Sequence, residues 1–178
     1  MSKVVILSGS VRSGGNTELL VQSFATGARQ NHDVEIISVA DYKVNPCIGC
    51  NTCFQREGNG CFQQDDMQKI YPRLSEADII VVASPVYFYG ISAQLKAIVD
   101  RLHTPMRDTF RVKKLALLLV AAATLPEVFD SINIQYELIL NYFHMEDAGK
   151  VLVRGVKDKG DIKGNPALEE AFRLGTKC

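Results

Sequence analysis

Short apolar runs alternate along this chain with segments in which apolar residues recur every three or four positions. The runs are brief and rich in β-branched residues, as expected for strands that are buried on both faces of a parallel sheet. Five such strands are predicted, at residues 3–7, 34–39, 79–83, 115–120 and 150–154. The alternation therefore predicts a single doubly wound α/β domain that spans residues 1–178.

The helical segments begin at recognisable start signals. The five helices are expected to start near Asn16, Asp65, Ser92, Thr124 and Asn165. Pro72 should kink or shorten the second helix. Thr124 and Glu127 have the spacing of a capping box, so the fourth helix is expected to begin there. Gly175 is the expected end of the last helix.

The number of strands restricts their order in the sheet. Right-handed crossovers and five parallel strands favour the order 2-1-3-4-5, with helices in a layer on each side. In this order the sheet reverses beside the first strand, and ligands bind at the carboxyl ends of strands 1, 3 and 4. We therefore expect the functional residues in the loops at 8–17, 84–91 and 121–125.

Charge and hydropathy exclude several functions. The chain carries 20 Lys+Arg and 20 Asp+Glu, whereas a nucleic-acid binder needs a basic excess. No apolar run approaches the roughly 20 residues of a membrane span, and the N-terminus lacks a signal-peptide pattern. We therefore expect a cytoplasmic protein with reduced thiols, with no nucleic-acid or membrane partner.

The first loop, residues 8–17, combines three glycines with hydroxyl and amide donors at the start of a helix. Such loops bind anions through backbone N–H groups and the positive end of the helix. The loop contains no lysine, as a nucleoside-triphosphate loop would, and it breaks the GxGxxG pattern of dinucleotide loops. Its donors and Arg12 fit one terminal phosphate without magnesium. A glycine- and serine-rich turn with no ligand is the alternative.

The second loop, residues 84–90, contains three consecutive aromatic residues after a buried strand. All three cannot enter the core, so at least one must line a cleft or an interface. Apolar faces with nearby backbone N–H and C=O groups suit a planar heteroaromatic cofactor. Burial of these aromatics at a dimer contact is the alternative, and it is compatible with flavin binding.

Four of the five cysteines lie in a long loop at residues 40–63. Loops of this length within a domain are usually functional. The spacing Cys47-x₂-Cys50-x₂-Cys53-x₇-Cys61 is typical of ligands to a [4Fe–4S] cluster. Zinc, a thiol/disulfide pair at Cys47 and Cys50, and a loop without metal are the alternatives. The fifth cysteine, Cys178, is expected to be an exposed free thiol.

Several motifs, in this order and at this spacing, resemble one known family over nearly the whole chain. They are Gly9-Ser10-x-Arg12-x-x-Gly15-Asn16-Thr17, Cys47-x-Gly49-Cys50-x-x-Cys53, Asp65-Asp66-Met67, Ala83-Ser84-Pro85-Val86-Tyr87, Asp100-Arg101 and Gly160-Asp161-Ile162. The sequence resembles the flavodoxin-like NADPH-dependent FMN reductase family, and within it the iron–sulfur flavoprotein branch.

The resemblance implies FMN as the cofactor, NAD(P)H as the co-substrate and no catalytic side chain. It places the FMN phosphate on Ser10, Arg12, Gly15, Asn16 and Thr17. It places the isoalloxazine ring on Pro85, Val86, Tyr87, Phe88, Tyr89 and Gly90. A third side would be closed by Ala122, Ala123 and Thr124.

The leading hypothesis is an FMN-dependent NAD(P)H oxidoreductase that reduces a flavin, a quinone or a similar small acceptor. The alternative is an electron carrier with FMN and a [4Fe–4S] cluster that accepts electrons from ferredoxin. A non-enzymatic regulatory protein is a third class. The neutral net charge argues against a freely diffusing carrier, which usually docks through a strong field of one sign. The resemblance implies a homodimer or homotetramer, and a small molecule or a redox protein as the acceptor.

Overall fold

A parallel sheet of five strands runs through the centre of the protein. The structure is a computed structural model that describes residues 1–178. The strands are β1 (Lys3–Ser8), β2 (Asp33–Ser38), β3 (Ile79–Pro85), β4 (Lys114–Val120) and β5 (Glu146–Val153). They are all parallel and pair in the order β2-β1-β3-β4-β5. The predicted flavodoxin-like order is therefore confirmed.

Five helices form a layer on each face of this sheet. They are α1 (Asn16–Ala28), α2 (Met67–Ser75), α3 (Ala93–Arg101), α4 (Asp130–Phe143) and α5 (Ala167–Lys177). Apolar residues of α1 and α5 share a core with Val4 and Ile6 of β1. Those of α2, α3 and α4 share the other core with Val5 and Leu7. None of the helices combines the length and the apolar character needed to cross a membrane.

Two element starts differ from the sequence-based expectation. Helix α4 begins at Asp130 and not at Thr124, because Pro126–Phe129 form a 3₁₀ turn with no capping side chain. Strand β5 begins at Glu146, four residues before the predicted start. The first residues of β5 lie exposed at the edge of the sheet, so they do not carry the apolar signature of a central strand.

Helix α5 also differs, because it continues through Gly175 to Lys177. Gly175 does not end the helix; it allows the backbones of α1 and α5 to touch. A Cβ atom added at Gly175 would overlap the carbonyl oxygen of Phe24, and one at Gly27 would overlap that of Phe172. Only glycine fits at either position, since the obstacle is backbone and cannot rotate away.

The close backbone contact between α1 and α5 predicts that a larger residue at Gly27 destabilises the fold. Glycine within a helix is usually about 1 kcal/mol less favourable than alanine, but here the added methyl must push α5 away from α1. We expect Gly27→Ala to lower the free energy of unfolding by about 2 kcal/mol, measured by urea denaturation. The exposed Gln22→Ala on the same helix is the control and should change it by less than about 0.5 kcal/mol. A stabilised Gly27→Ala variant would contradict the packing described.

Candidate functional site

Three loops leave the sheet at the carboxyl ends of β1, β3 and β4, where the strand order predicts a ligand. Their backbones are joined at this edge. The Gly9 N–H donates to the carbonyl of Ala83 at 2.7 Å, and the Val86 N–H donates to that of Val120 at 2.8 Å. The loops after β1, β3 and β4 therefore form one continuous surface at the point where the sheet reverses.

The loop between β1 and α1 presents backbone donors that have no partner. Gly15 caps α1 in an extended conformation without a side-chain cap. The N–H groups of the first turn, those of Asn16, Thr17 and Glu18, donate no hydrogen bond within the chain. The same is true of the N–H groups of Ser10, Val11 and Ser13 in the loop. Unpartnered donors at the positive end of a helix fit an anionic group such as the FMN phosphate.

The side chains of Thr17 and Arg12, which the resemblance places at the phosphate, lie at this loop. Thr17 is buried, and its hydroxyl makes no hydrogen bond within the chain. Arg12 is exposed; its Nη1 donates to the carbonyl of Lys157 at 3.4 Å, and its N–H donates to Ser10 Oγ at 3.2 Å. Both side chains are therefore free to contact an anion held by the backbone donors.

The side chain of Asn16 makes hydrogen bonds to the segment that follows β5. Its Nδ2 donates to the carbonyl of Asp158 at 2.9 Å, and its Oδ1 accepts from the N–H groups of Gly160 and Ile162 at 3.1 and 3.3 Å. The amide thus fixes the segment that follows β5. The backbone N–H of Asn16 has no partner and is therefore available to a phosphate.

The aromatic residues after β3 form a tight hairpin outside the core. Tyr87 and Gly90 exchange backbone hydrogen bonds of 2.9 and 3.0 Å around Phe88 and Tyr89. Both turn residues have positive φ, 51° and 63°, a conformation that favours glycine or asparagine and costs roughly 1–3 kcal/mol for each bulky residue. The Phe88 side chain is fully exposed. Strain of this kind is found mostly at functional sites.

The remaining predicted flavin contacts lie on either side of this hairpin. Pro85 and Val86 before it are partly buried, and Gly90 closes it. Ala122, Ala123 and Thr124 follow β4 and are exposed. Ala123 is held by the N–H of Gly155, which donates to its carbonyl at 3.1 Å. An exposed aromatic turn and a small-residue loop thus border the same edge of the sheet.

The four grouped cysteines, Cys47, Cys50, Cys53 and Cys61, line one cavity. All are free thiols; the first two are exposed and the other two partly buried. The Thr52 hydroxyl donates to Cys50 Sγ at 3.3 Å, and this hydrogen bond lowers the pKa of the Cys50 thiol. No three or more His, Cys, Asp or Glu side chains of the chain are arranged to hold a metal ion in this structure. The four thiols are therefore not arranged as a ready ligand set for either zinc or a cluster.

A buried ion pair closes the loop that carries these cysteines. Arg101, at the end of α3, donates two hydrogen bonds to Asp65, at 2.7 and 3.3 Å, and a third to the carbonyl of Asn45 at 3.1 Å. Both charged side chains are almost completely buried. Arg101 also lines the cysteine cavity, and its Nε has no partner. One arginine thus joins both ends of the loop to α3 and leaves a donor unused beside the cysteines.

Asp65 and Arg101 both belong to the sequence motifs, and a helix was expected to start near Asp65. The ion pair between the two residues was not predicted. The available signal was a cation among the apolar residues of α3, where Leu95 and Ile98 are buried. Burial alone would raise the pKa of Asp65, but the hydrogen bonds from Arg101, Asn45 and Met67 outweigh it and lower the pKa. The carboxylate therefore stays ionised next to its guanidinium.

Cys178 differs from expectation. It is partly buried and packs against the core between the sheet and helices α1 and α5. Burial raises the pKa of its thiol to about 11. The terminal cysteine is therefore a poor nucleophile, unlike the exposed free thiol that the sequence suggested.

Comparison with known proteins decides the family. The sequence profile of the family described as NADPH-dependent FMN reductase matches residues 2–153. The chain belongs to this family. The sequence-based identification is therefore confirmed, and the family is one of NADPH-dependent FMN reductases.

Relatives within the family carry two kinds of name. An iron–sulfur flavoprotein from Methanosarcina thermophila is 32% identical over 98% of this chain and 88% of its own. A putative NAD(P)H-dependent FMN-containing oxidoreductase from Bacillus subtilis is 30% identical over 97% of this chain and 96% of its own. An iron–sulfur flavoprotein from Methanocaldococcus jannaschii is 46% identical over 62% of this chain, and the match spans only 56% of that protein.

The contribution of the Arg101–Asp65 ion pair to the free energy of unfolding is expected to depend on pH. Because Arg101 cannot lose its charge, Asp65→Asn leaves a buried cation unpaired and should lower the free energy of unfolding by about 3 kcal/mol at pH 7. The folded-state pKa of Asp65 is lowered, so its contribution is present above the unfolded pKa and is lost as pH falls through the folded-state value. The difference between variant and wild type should therefore shrink below about pH 4.

Urea denaturation at pH 7 and at pH 3 measures this difference. Glu169→Gln is the control, because Glu169 pairs with Arg173 at exposed positions of α5 and an exposed pair contributes less than about 1 kcal/mol. Equal losses for the two variants at pH 7 would show that the Arg101 pair does not hold the loop.

Proposed function

We propose that this chain is an FMN-dependent NAD(P)H oxidoreductase that passes electrons to a small acceptor such as a flavin or a quinone. The observation that carries the proposal is the set of unpartnered N–H groups between β1 and α1, at the point where the sheet reverses. The bound flavin would supply the chemistry, accepting hydride from NAD(P)H and releasing electrons singly or in pairs.

In this proposal the residues of the chain bind and orient the flavin. Backbone donors, with Ser10, Arg12 and Thr17, would hold the phosphate, and Gly15 would contribute as the residue that caps α1 at this loop. The ring lies between the hairpin at residues 85–90 and the loop at residues 122–124. No side chain is needed to move a proton, so none is assigned a catalytic role. The Asn16 side chain contributes indirectly, through the segment after β5.

We further propose that residues 1–178 act as one FMN-binding domain in a cytoplasmic homodimer or homotetramer. The shared sheet supports the single domain. Five unpaired thiols favour a reducing compartment. Exposed apolar side chains on the hairpin and on α4, such as Phe88, Leu138 and Tyr142, support an interface between subunits. The neutral net charge argues against nucleic acid as a partner.

An FMN titration tests the phosphate site. Thr17→Val keeps the shape of the side chain and removes the hydroxyl, so we expect FMN to bind about tenfold more weakly, as the loss of one hydrogen bond to a charged group predicts. Quenching of flavin fluorescence measures the affinity. Thr26→Val, at an exposed position of the same helix, is the control and should bind FMN as the wild type does. A wild-type protein that neither contains nor binds FMN would overturn the main proposal.

A second candidate function is an iron–sulfur flavoprotein that carries electrons from a donor such as ferredoxin. Four thiols around one cavity, beside a buried cation with an unused N–H, support it. Four cysteine thiolates are the ligand set that a [4Fe–4S] cluster takes. Cys47, Cys50, Cys53 and Cys61 would be the ligands, and the cluster would add one-electron chemistry. Two relatives are named iron–sulfur flavoproteins, which supports the presence of a cluster.

Iron analysis after anaerobic purification separates the two functions. With a cluster, we expect about four irons per chain and a broad absorption near 400 nm beneath the flavin bands. Cys53→Ser should lose both and keep its FMN. Cys178→Ser is the control and should keep both, because Cys178 lies outside the loop. Flavin without iron in anaerobically reconstituted wild type would rule out the cluster, and bleaching by NADPH would then support the reductase.

A further inference from the structure

The segment between β5 and α5 is fixed to the start of α1. Three hydrogen bonds of the buried Asn16 amide reach Asp158, Gly160 and Ile162. Within the segment, the Asp161 carboxylate accepts from the N–H groups of Lys157 and Asp158 at 2.9 and 2.7 Å. The turn is therefore closed on itself and anchored beside the loop that holds the unpartnered donors. Its side chains have a defined place relative to that loop.

The side chain of Lys159 extends from this turn to the loop between β1 and α1. It lies against Gly14, where a Cβ atom would be 2.8 Å from Lys159 Cε and 3.1 Å from Nζ. Gly14 has a φ of +64° and no side chain, so the lysine can approach the backbone of the loop closely. The ammonium group is thus brought to the anion-binding loop by a distant part of the sequence.

The positive charge at this place is not used within the chain. Ten ion pairs stabilise the protein, and none involves Arg12, Lys157 or Lys159. The nearby Glu18 carboxylate accepts from the Gly14 N–H at 2.6 Å and lies beyond ion-pair distance of Lys159. An unpaired lysine beside unpartnered N–H groups adds charge to a site that already favours an anion.

We propose that Lys159 is a phosphate-binding residue for the flavin and that Asn16 is the positioning residue that holds it in place. The inference rests on the proposed FMN site and adds to it a cation from outside the loop. Its consequence is specificity, because the lysine favours a phosphorylated flavin over riboflavin, which has the same ring and no phosphate. Lysine binds phosphate as a point charge, so this contact depends on ionic strength.

The test compares FMN and riboflavin binding to Lys159→Gln by fluorescence quenching. We expect FMN to bind about tenfold more weakly, as for the loss of one charge-assisted contact, and riboflavin to bind as it does to the wild type. The FMN affinity of the variant should also fall less steeply with added salt. Lys163→Gln is the matched control, because Lys163 lies in the same segment but packs against Gly160. It should leave both affinities unchanged.

The role of Asn16 needs a test that a general loss of stability does not mimic. If Asn16 acts by placing Lys159, the losses of FMN affinity caused by Asn16→Ala and by Lys159→Gln should not add. The double variant should then bind FMN about as tightly as the single variant that has the lower FMN affinity. Riboflavin binding reports whether the ring site of each variant remains intact. Additive effects would limit Asn16 to a role independent of Lys159.

The outcomes separate this inference from the function on which it rests. Wild type that binds FMN together with a Lys159→Gln variant of equal FMN affinity would overturn the role of Lys159 and leave the FMN site standing. An equal loss of FMN and riboflavin binding would also overturn it, because the lysine would then act on the ring site or on the fold. Failure of the wild type to bind FMN would remove both.

Discussion

The reversal of strand order beside β1 is the constraint on which the candidate site depends. From β1 the chain crosses to β2 on one side and later returns to β3 on the other, with helices on opposite faces. The loops after β1 and β3 therefore separate and leave a crevice at their carboxyl ends. The donors of the first loop and the aromatic hairpin of the second lie at this edge because of topology, although β1 ends at Ser8 and β3 only at Pro85.

Local charge matters more at this crevice than the charge of the whole chain. The net charge is zero, yet Arg12 and Lys159 lie at the loop between β1 and α1 and neither forms an ion pair. At the cysteine loop, by contrast, the buried Arg101 is neutralised by Asp65. Two cations at this loop are therefore open to an anion, whereas the buried cation at Arg101 is already paired. Overall neutrality excludes a strong long-range field but not a local anion site.

The sequence predicted the features that are local or periodic. The five strands, their order and the anion-binding loop follow from apolar runs, crossover rules and the composition of residues 8–17. It could not predict contacts between distant segments. The Asn16 side chain appeared to belong to the phosphate loop but bonds to residues 158–162, and Gly175 appeared to end a helix but lies within one. The early start of β5 was hidden because an exposed edge strand has a polar sequence.

The buried ion pair between Arg101 and Asp65 has a consequence for how a metal centre would be assembled in the cysteine loop. Asp65 and Asn45 bring the ends of the cysteine loop together through side-chain and backbone hydrogen bonds that need no metal. Most of the entropy of loop closure is therefore lost during folding and not during metal capture. A loop closed in this way needs no metal ion in order to fold, unlike zinc fingers, in which the ion itself drives folding.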